Sequence, residues 1–248
     1  MTGNRQKDFK VANEAAGFAE AGRKSPDKKY TWHHFDDFDP ETGTCTMQLA
    51  YRKAHEATLP HLGACAQYEQ HHGEKTYNKP RKRNKLTVNR REKMSVSYNN
   101  KFVNPEKEIT IKDINTIETK YNFIFPEDFK EHYLTYNGGE PERYVFVDED
   151  EDEYIVTQFI PIKYDEESGR NLEYCLDTLR VGKVLPDWLI PFADETGGDL
   201  YCFSIKEGEE GSIYYWSHEY EYGEDPEEHV LYLTNSLKTF IDSMVEDE

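Results

Sequence analysis

The chain has 248 residues, enough for one or two domains, with 36% hydrophobic residues, 14% aromatic residues and a formal charge of −19 at pH 7. No apolar run approaches the roughly 20 residues that span a bilayer, and Met1–Lys7 lacks an apolar signal core. Cys45, Cys65, Cys175 and Cys202 form no CxxC pair, so a membrane protein, an exported chain and a disulfide framework are not expected, and the chain as given reads as cytoplasmic.

The charge is unevenly spread. Residues 1–93 hold 18 Lys+Arg against 12 Asp+Glu, net +6, which leaves 12 against 37, net −25, for residues 94–248. That split reads as two domains, one shaped for a polyanion and one for a basic partner. The acidic half is rich in aromatic residues, so it is expected to fold rather than form a solvated tail.

In chain order, Phe9, Ala12, Ala15 and Ala16 recur at near-helical spacing in a helix within residues 5–22, broken at Gly17 and Gly22. The run Tyr30–Phe35 is aromatic and β-branched and suits a strand. Asp39-Pro40 and Gly43 mark a turn, and Thr44–Leu49 alternates as the returning strand of a hairpin. Ala50–Thr58 is built from helix formers until Pro60 stops it. The order is strand, loop, strand, helix.

Residues 74–108 are polar, contain the basic run Arg81-Lys82-Arg83-Asn84-Lys85, and read as a basic tail and linker. A flexible segment of that length spans about 33 Å and would hold its two ends at roughly millimolar effective concentration. Met94-Ser-Val-Ser-Tyr within it looks like a second start, placing a junction between two joined proteins near Met94. An ordinary internal methionine is the plain alternative.

From Ile109 a compact domain begins. Thr110 and Asp113 cap a helix through Ile114, Ile117 and Tyr121. Pro126 opens another, through Phe129 and Tyr133, that ends at Asn137-Gly138-Gly139. Strands are expected at Tyr144–Val147, Glu153–Pro161, Ile190–Phe192, Leu200–Ile205 and Ser212–Trp216, and a last helix at Leu237–Val245. Tyr214, Tyr215 and Trp216 are expected to alternate between core and surface. Helices flanking an antiparallel sheet make this half α+β.

The chemistry-bearing feature is the set His33, His34, His55 and His61, four imidazoles within about thirty residues. Metal-dependent phosphodiester cleavage needs a cation for the developing charge and a base for water, and neutral imidazole serves both near pH 7. A single histidine is more often a satisfied core or surface residue, and His71 and His72 are read as solvent-facing. Trp32 is read as core.

The landmarks Arg5-x-x-Asp8-Phe9-x-x-Ala12-Asn13-x-Ala15-Ala16-Gly17, Tyr30-Thr31-Trp32-His33-His34, Met47-Gln48-Leu49, His55 and His61-Leu62-Gly63 resemble the WHH family. That family is a branch of the HNH/endonuclease VII nucleases found at the tips of bacterial polymorphic toxins. The resemblance covers about residues 5–73 and implies a ββα-metal fold that cleaves nucleic acid, most often DNA, with one divalent ion such as Mg or Zn. By position it implies His33 as first metal ligand, His34 as general base, and His55 and His61 as further ligands. The cations Arg5, Arg52, Lys53, Arg81, Lys82 and Arg83 are the candidate nucleic-acid contacts.

In the acidic half, Phe125-Pro126-Glu127-Asp128-Phe129, Tyr136-Asn137-Gly138-Gly139, Leu189-Ile190-Pro191-Phe192-Ala193, Gly197-Gly198-Asp199 and Ile213-Tyr214-Tyr215-Trp216 resemble the SUKH superfamily, across about residues 109–245. Many bacterial members of that superfamily are immunity proteins for polymorphic toxins. No nucleophile–base pair or metal spacing stands out in this half. The acidic run Asp148, Glu149, Asp150, Glu151, Asp152 and Glu153, with Glu219 and Glu221, supplies candidate contacts that mimic phosphates to a basic nuclease. A solvated loop is the bland reading of that run.

The reading that follows is a toxin–immunity fusion: an N-terminal ββα-metal nuclease domain (1–73), a basic tail and linker (74–108), and a C-terminal SUKH domain (109–248) that binds and inhibits it. A region upstream of the given sequence would deliver the toxin half to target cells. The alternatives are a non-enzymatic SUKH regulatory or scaffold protein with a decayed nuclease half, and a nucleic-acid-binding module without catalysis.

Overall fold

The computed structural model describes residues 1–77, 98–148, 151–165, 168–220 and 224–247. The N-terminal segment opens with helix α1 (Arg5–Ala16). Its cap is Asn4, whose side chain accepts from the Lys7 N–H, and Gly17 at φ 85° ends it in the left-handed conformation that glycine adopts without strain. Phe9, Ala12 and Asn13 face inward, whereas Ala15 and Ala16 are exposed, because the helix ends before their face meets a partner.

Strands β1 (Tyr30–His34) and β2 (Met47–Tyr51) form the expected hairpin, antiparallel, with Trp32 opposite Leu49 and His34 opposite Met47. The second strand starts at Met47 instead of Thr44, since Thr44 is held in the turn by its bridge to Asp39 and Thr46 is held by the Asp37 carboxylate. Helix α2 (Arg52–Glu56) follows directly, and α3 (Ala64–His72) comes after Pro60. The apolar cluster of this segment is small: Phe9, Ala12 and Trp32, flanked by Met47 and Leu49. The Trp32 indole N–H donates to Asn13 Oδ1 at 2.8 Å, so the ring is a core residue with its polar edge satisfied.

The C-terminal segment runs β3 (Phe102–Val103), α4 (Ile111–Tyr121), α5 (Glu127–Thr135), β4 (Glu140–Pro141), β5 (Val145–Val147), β6 (Glu153–Ile155), β7 (Gln158–Phe159) and α6 (Leu172–Cys175). It continues with β8 (Leu189–Asp194), β9 (Leu200–Ser204), β10 (Ile213–Trp216), β11 (Val230–Thr234), α7 (Leu237–Asp242) and β12 (Met244–Val245). The main sheet is antiparallel in the order β11-β10-β9-β8-β7, and a smaller antiparallel sheet has the order β12-β5-β6. Thr110 and Asp113 cap α4 as expected, the Asp113 carboxylate accepting the Thr110 N–H at 2.9 Å. The architecture is α+β.

Phenylalanines 125, 129, 159, 192, 203 and 240 dominate the core, each 2% exposed or less. Tyr214, Tyr215 and Trp216 do not alternate between core and surface: all three are buried, because β10 is a central strand covered on both faces. The predicted last helix ends at Asp242, and Met244–Val245 instead pairs with β5.

Residues 98–108 are not a linker. Phe102 is buried, β3 pairs with β4, and the Asn100 amide donates to the Arg143 carbonyl. Residues 74–77 belong with the N-terminal segment, where the Thr76 and Tyr77 N–H groups donate to Glu69. The junction expected near Met94 lies outside the described residues. Among the described residues no helix is long and apolar enough to cross a membrane.

Candidate active site

Adjacent residues on a strand face opposite sides, and the end of β1 uses that geometry to put two imidazoles in two environments. His33 turns toward α2 and the loop after it, where its ring lies 5.1 Å from that of His55 and 5.0 Å from that of His61, with His55 and His61 4.8 Å apart. One ring nitrogen from each of the three lies within 4.8 Å of the other two. His55 Nδ1 and His61 Nε2 are buried without a hydrogen-bond partner, so these nitrogens could serve as ligands to an ion. Thr58 orients His61, its hydroxyl 3.2 Å from Nδ1.

Burial first, and then the crowding of imidazoles, lowers the pKa of His55 well below the usual histidine range and that of His61 to about 4. Burial also lowers His33. The rings are therefore neutral at pH 7, with lone pairs to give to a metal. Three nitrogen donors fit Zn²⁺ or a similar transition ion better than Mg²⁺, which prefers oxygen.

His34 points the other way and is 2% exposed. Its Nε2 lies 3.1 Å from Asp8 Oδ2, its ring stacks on Phe9, and the Tyr77 hydroxyl donates to the same Asp8 oxygen at 2.5 Å. Burial raises the Asp8 pKa, but the hydrogen bonds from His34 and Tyr77 outweigh it and keep the carboxylate ionised. An Asp8 acceptor at Nε2 fixes the tautomer whose basic nitrogen is Nδ1. Cys65 and Glu219 offer ligand atoms within 4.8 Å of His34, a second cluster beside the first.

Glu219 comes from the acidic half, as do the residues on the open side of the three histidines. The ring of His218 lies 5.2 Å from that of His55 and 5.3 Å from that of His61. Its Nδ1 is 2.6 Å from Asp199 Oδ1, which also accepts the His218 backbone N–H at 3.0 Å. Asp199 pairs in turn with Arg5 and accepts from the Tyr215 hydroxyl. Burial opposes ionisation of Asp199, yet Arg5 and His218 overcome it and hold its pKa below the ordinary carboxylate range.

Arg5 also lies 3.4 Å from Glu219, and the Gln6 amide donates to Glu195 at 3.2 Å. Gly198, at φ 108°, lets the loop lie flat on the site: a Cβ there would be 3.2 Å from His55 Cε1 and 3.5 Å from His218 Cε1. Two further ion-pair clusters join the segments, of which the one at Arg170 is buried. Arg23 pairs with Glu153 and Asp247, and Arg170 pairs with Glu56 and, at 2.5 Å, with Asp194. Leu59, in the turn after α2, is packed into the C-terminal core.

The structure thus brings His33, His55 and His61 together, places His34 on the neighbouring face, and sets Arg5 against carboxylates. Arg52 is spent differently from expectation: it is 2% exposed and its guanidinium donates to the Lys28 and Tyr30 carbonyls, bracing the hairpin instead of facing a phosphate. Lys53 Nζ sits 4.8 Å over the Tyr174 ring. Arg81, Lys82, Arg83, Glu149, Asp150 and Glu221 lie outside the described residues.

Of the described acidic candidates, Glu153 and Glu219 meet cations of the N-terminal segment. Asp148 Oδ1 instead accepts the Asp152 N–H, and Glu151 is exposed at φ 62°. His71 and His72 are exposed, as expected. Sequence reasoning missed Asp194, Glu195, Asp199 and His218 as site neighbours. The Gly-Gly before Asp199 and the His-Glu pair at 218–219 were the available signals, and neither says what it packs against.

Two family models match the chain. Residues 21–71 match a nuclease of the HNH/ENDO VII superfamily with conserved WHH, and residues 108–243 match the SMI1/KNR4 family (SUKH-1). No curated protein matches the chain.

Proposed function

The chain belongs to the SMI1/KNR4 (SUKH-1) family through residues 108–243 and carries a WHH nuclease domain of the HNH/endonuclease VII superfamily at residues 21–71, and from that premise we propose that it joins a metal-dependent DNase toxin to the immunity domain that inhibits it. The observation that carries the reading is the packing of His218 against His55 and His61 of the three-histidine set, with Arg5 paired to the neighbouring carboxylates Asp199 and Glu219.

His33, His55 and His61 would hold one divalent ion, which when bound supplies charge stabilisation at the scissile phosphate and leaving oxygen. His34, oriented by Asp8, takes the proton of the attacking water at Nδ1. Arg5 anchors a substrate phosphate. In the closed protein Asp199 and Glu219 take the place of that phosphate at Arg5, and the Gly197–Gly198 loop excludes nucleic acid from the histidines. Inhibition is therefore occlusion of the site itself, strengthened by the ion pairs at Arg23 and the buried ones at Arg170.

The test uses the full chain. The double variant Asp199→Ala/Glu219→Ala nicks supercoiled plasmid with Zn²⁺ or Mn²⁺ far faster than the intact chain, and adding His34→Ala slows it at least about 100-fold. A double variant whose halves separate in limited proteolysis, yet which cuts neither DNA nor RNA with any divalent ion, overturns the reading.

A further inference from the structure

We propose that His218 is a fourth ligand to the metal of the nuclease site, so that the SUKH domain inhibits by completing the ion's coordination shell as well as by covering it; this rests on the three-histidine metal site proposed above. Four observations point to it. The His218 side chain is 1% exposed, and its Nε2 is buried without a hydrogen-bond partner. Its ring lies against those of His55 and His61 at 5.2 and 5.3 Å, just outside the set of His33, His55 and His61 whose nitrogens lie within 4.8 Å of one another, and beside two nitrogens that are likewise buried and unpartnered.

Its other nitrogen, Nδ1, is held 2.6 Å from Asp199 Oδ1. This is the carboxylate–histidine pairing that fixes the tautomer and raises the basicity of a metal-bound imidazole. The carboxylate itself is immobilised by Arg5, Tyr215 and the His218 backbone N–H. Finally, Gly198 has no side chain where a Cβ would crowd both His55 and His218, so the loop approaches closely enough for the imidazole to reach the site.

The chemical consequence follows from coordination number. A zinc site with three protein ligands keeps a fourth position for water or substrate, and a site with four protein ligands is closed and structural. His218 converts the first kind into the second. A purely steric plug would cover the ion without needing an imidazole there, and the unpartnered Nε2 would then be an uncompensated cost of burial.

The experiment is metal binding by the intact chain, read without catalysis. Zn²⁺ affinity is measured by competition with a chromogenic chelator, and Co²⁺ loading is followed by visible absorption, for the wild type and for His218→Gln, Asp199→Asn, His33→Ala and His55→Ala. Urea melts of the metal-free proteins establish that each is folded. The wild type binds one Co²⁺ with the intense absorption of a four-coordinate ion. His218→Gln loses that intensity and binds Zn²⁺ at least about tenfold more weakly, and Asp199→Asn weakens it by a smaller factor. If His33→Ala and His55→Ala abolish binding while His218→Gln matches the wild type in spectrum and affinity, the fourth ligand is wrong and the metal site stands. If His33→Ala and His55→Ala bind as the wild type does, the metal site falls and His218 falls with it.

Discussion

Replacing Asp199 with alanine is expected to open the chain. The carboxylate is fully buried and meets four donors: the Arg5 guanidinium across the interface, and the Tyr215 hydroxyl, His218 Nδ1 and His218 N–H within its own domain. Removing one partner of a buried ion pair costs about 3–5 kcal/mol, chiefly because the other charge is left without compensation. Glu219 still lies 3.4 Å from Arg5 and absorbs part of that charge, so the low end, about 3 kcal/mol, applies to the docked state. At 1.4 kcal/mol per factor of ten, the open population rises about 100-fold.

The cross-interface share is isolated by a double-mutant cycle with Arg5→Met in urea unfolding of the full chain, where a coupling of about 2 kcal/mol or more is expected. Plasmid nicking by Asp199→Ala alone rises in parallel. A coupling below about 0.5 kcal/mol, the scatter of independent sites, would refute the idea that this pair holds the halves together.

Two further perturbations test the same reasoning elsewhere. Gly198→Ala places a Cβ 3.2 Å from His55 at φ 108°, whereas Gly208→Ala meets nothing within 4 Å at φ 83°. Both pay for the backbone, about 1–3 kcal/mol, but only the first raises nicking and protease access at the interface; equal effects would mean that the Gly198 contact is incidental. His132 tests pH dependence away from the site. It is fully buried among Phe102, Phe159 and Tyr133, neither ring nitrogen has a partner, and burial lowers its pKa to about 3. The unfolded chain takes up a proton at this residue below about pH 6.5 while the folded chain does not until about pH 3, so its share of stability falls as pH drops between those values. From pH 7 to pH 5 the wild type should lose about 2 kcal/mol more than His132→Leu in urea melts; parallel losses would show that His132 finds a partner in solution.

Much of the fold was legible because its signals are local. The Tyr30–His34 strand, the Thr110/Asp113 cap and the Pro126 helix start each depend on neighbours a few residues away. Helix α3 was not read, since Ala64–His72 is mostly polar and only Ala64 and Cys65 are buried. Residues 98–108 read as linker in the sequence because a polar stretch anchored by Phe102 carries little hydrophobic pattern. The short pairings of β3 with β4 and of β12 with β5 are set by tertiary packing, not by propensity.

The histidine triad was legible through spacing within one segment. Of the residues that cover it, Glu219 stands among the acidic candidates, but His218 and Asp199 do not, because His218 reaches His55 across more than 160 positions of sequence and Asp199 lies apart from the conspicuous acidic run at 148–153. Charge composition predicted that the halves attract. It could not say that Asp199 and Glu219 meet Arg5 while Arg52 turns inward to the hairpin.

The small apolar cluster of Phe9, Ala12 and Trp32 has a consequence for how the N-terminal segment stays folded. A domain under about 80 residues with so little core has few kcal/mol of its own, and here Leu59, Arg5, Arg23 and Glu56 are all anchored in the neighbouring domain. Removing the C-terminal domain therefore removes a scaffold. An N-terminal segment cut off from residues 98–247 is short of the contacts that keep it folded, so it is expected to be the part most exposed to proteolysis. The surface proposed to restrain the histidine site is also the one that supports the segment carrying it, so loss of that surface removes both.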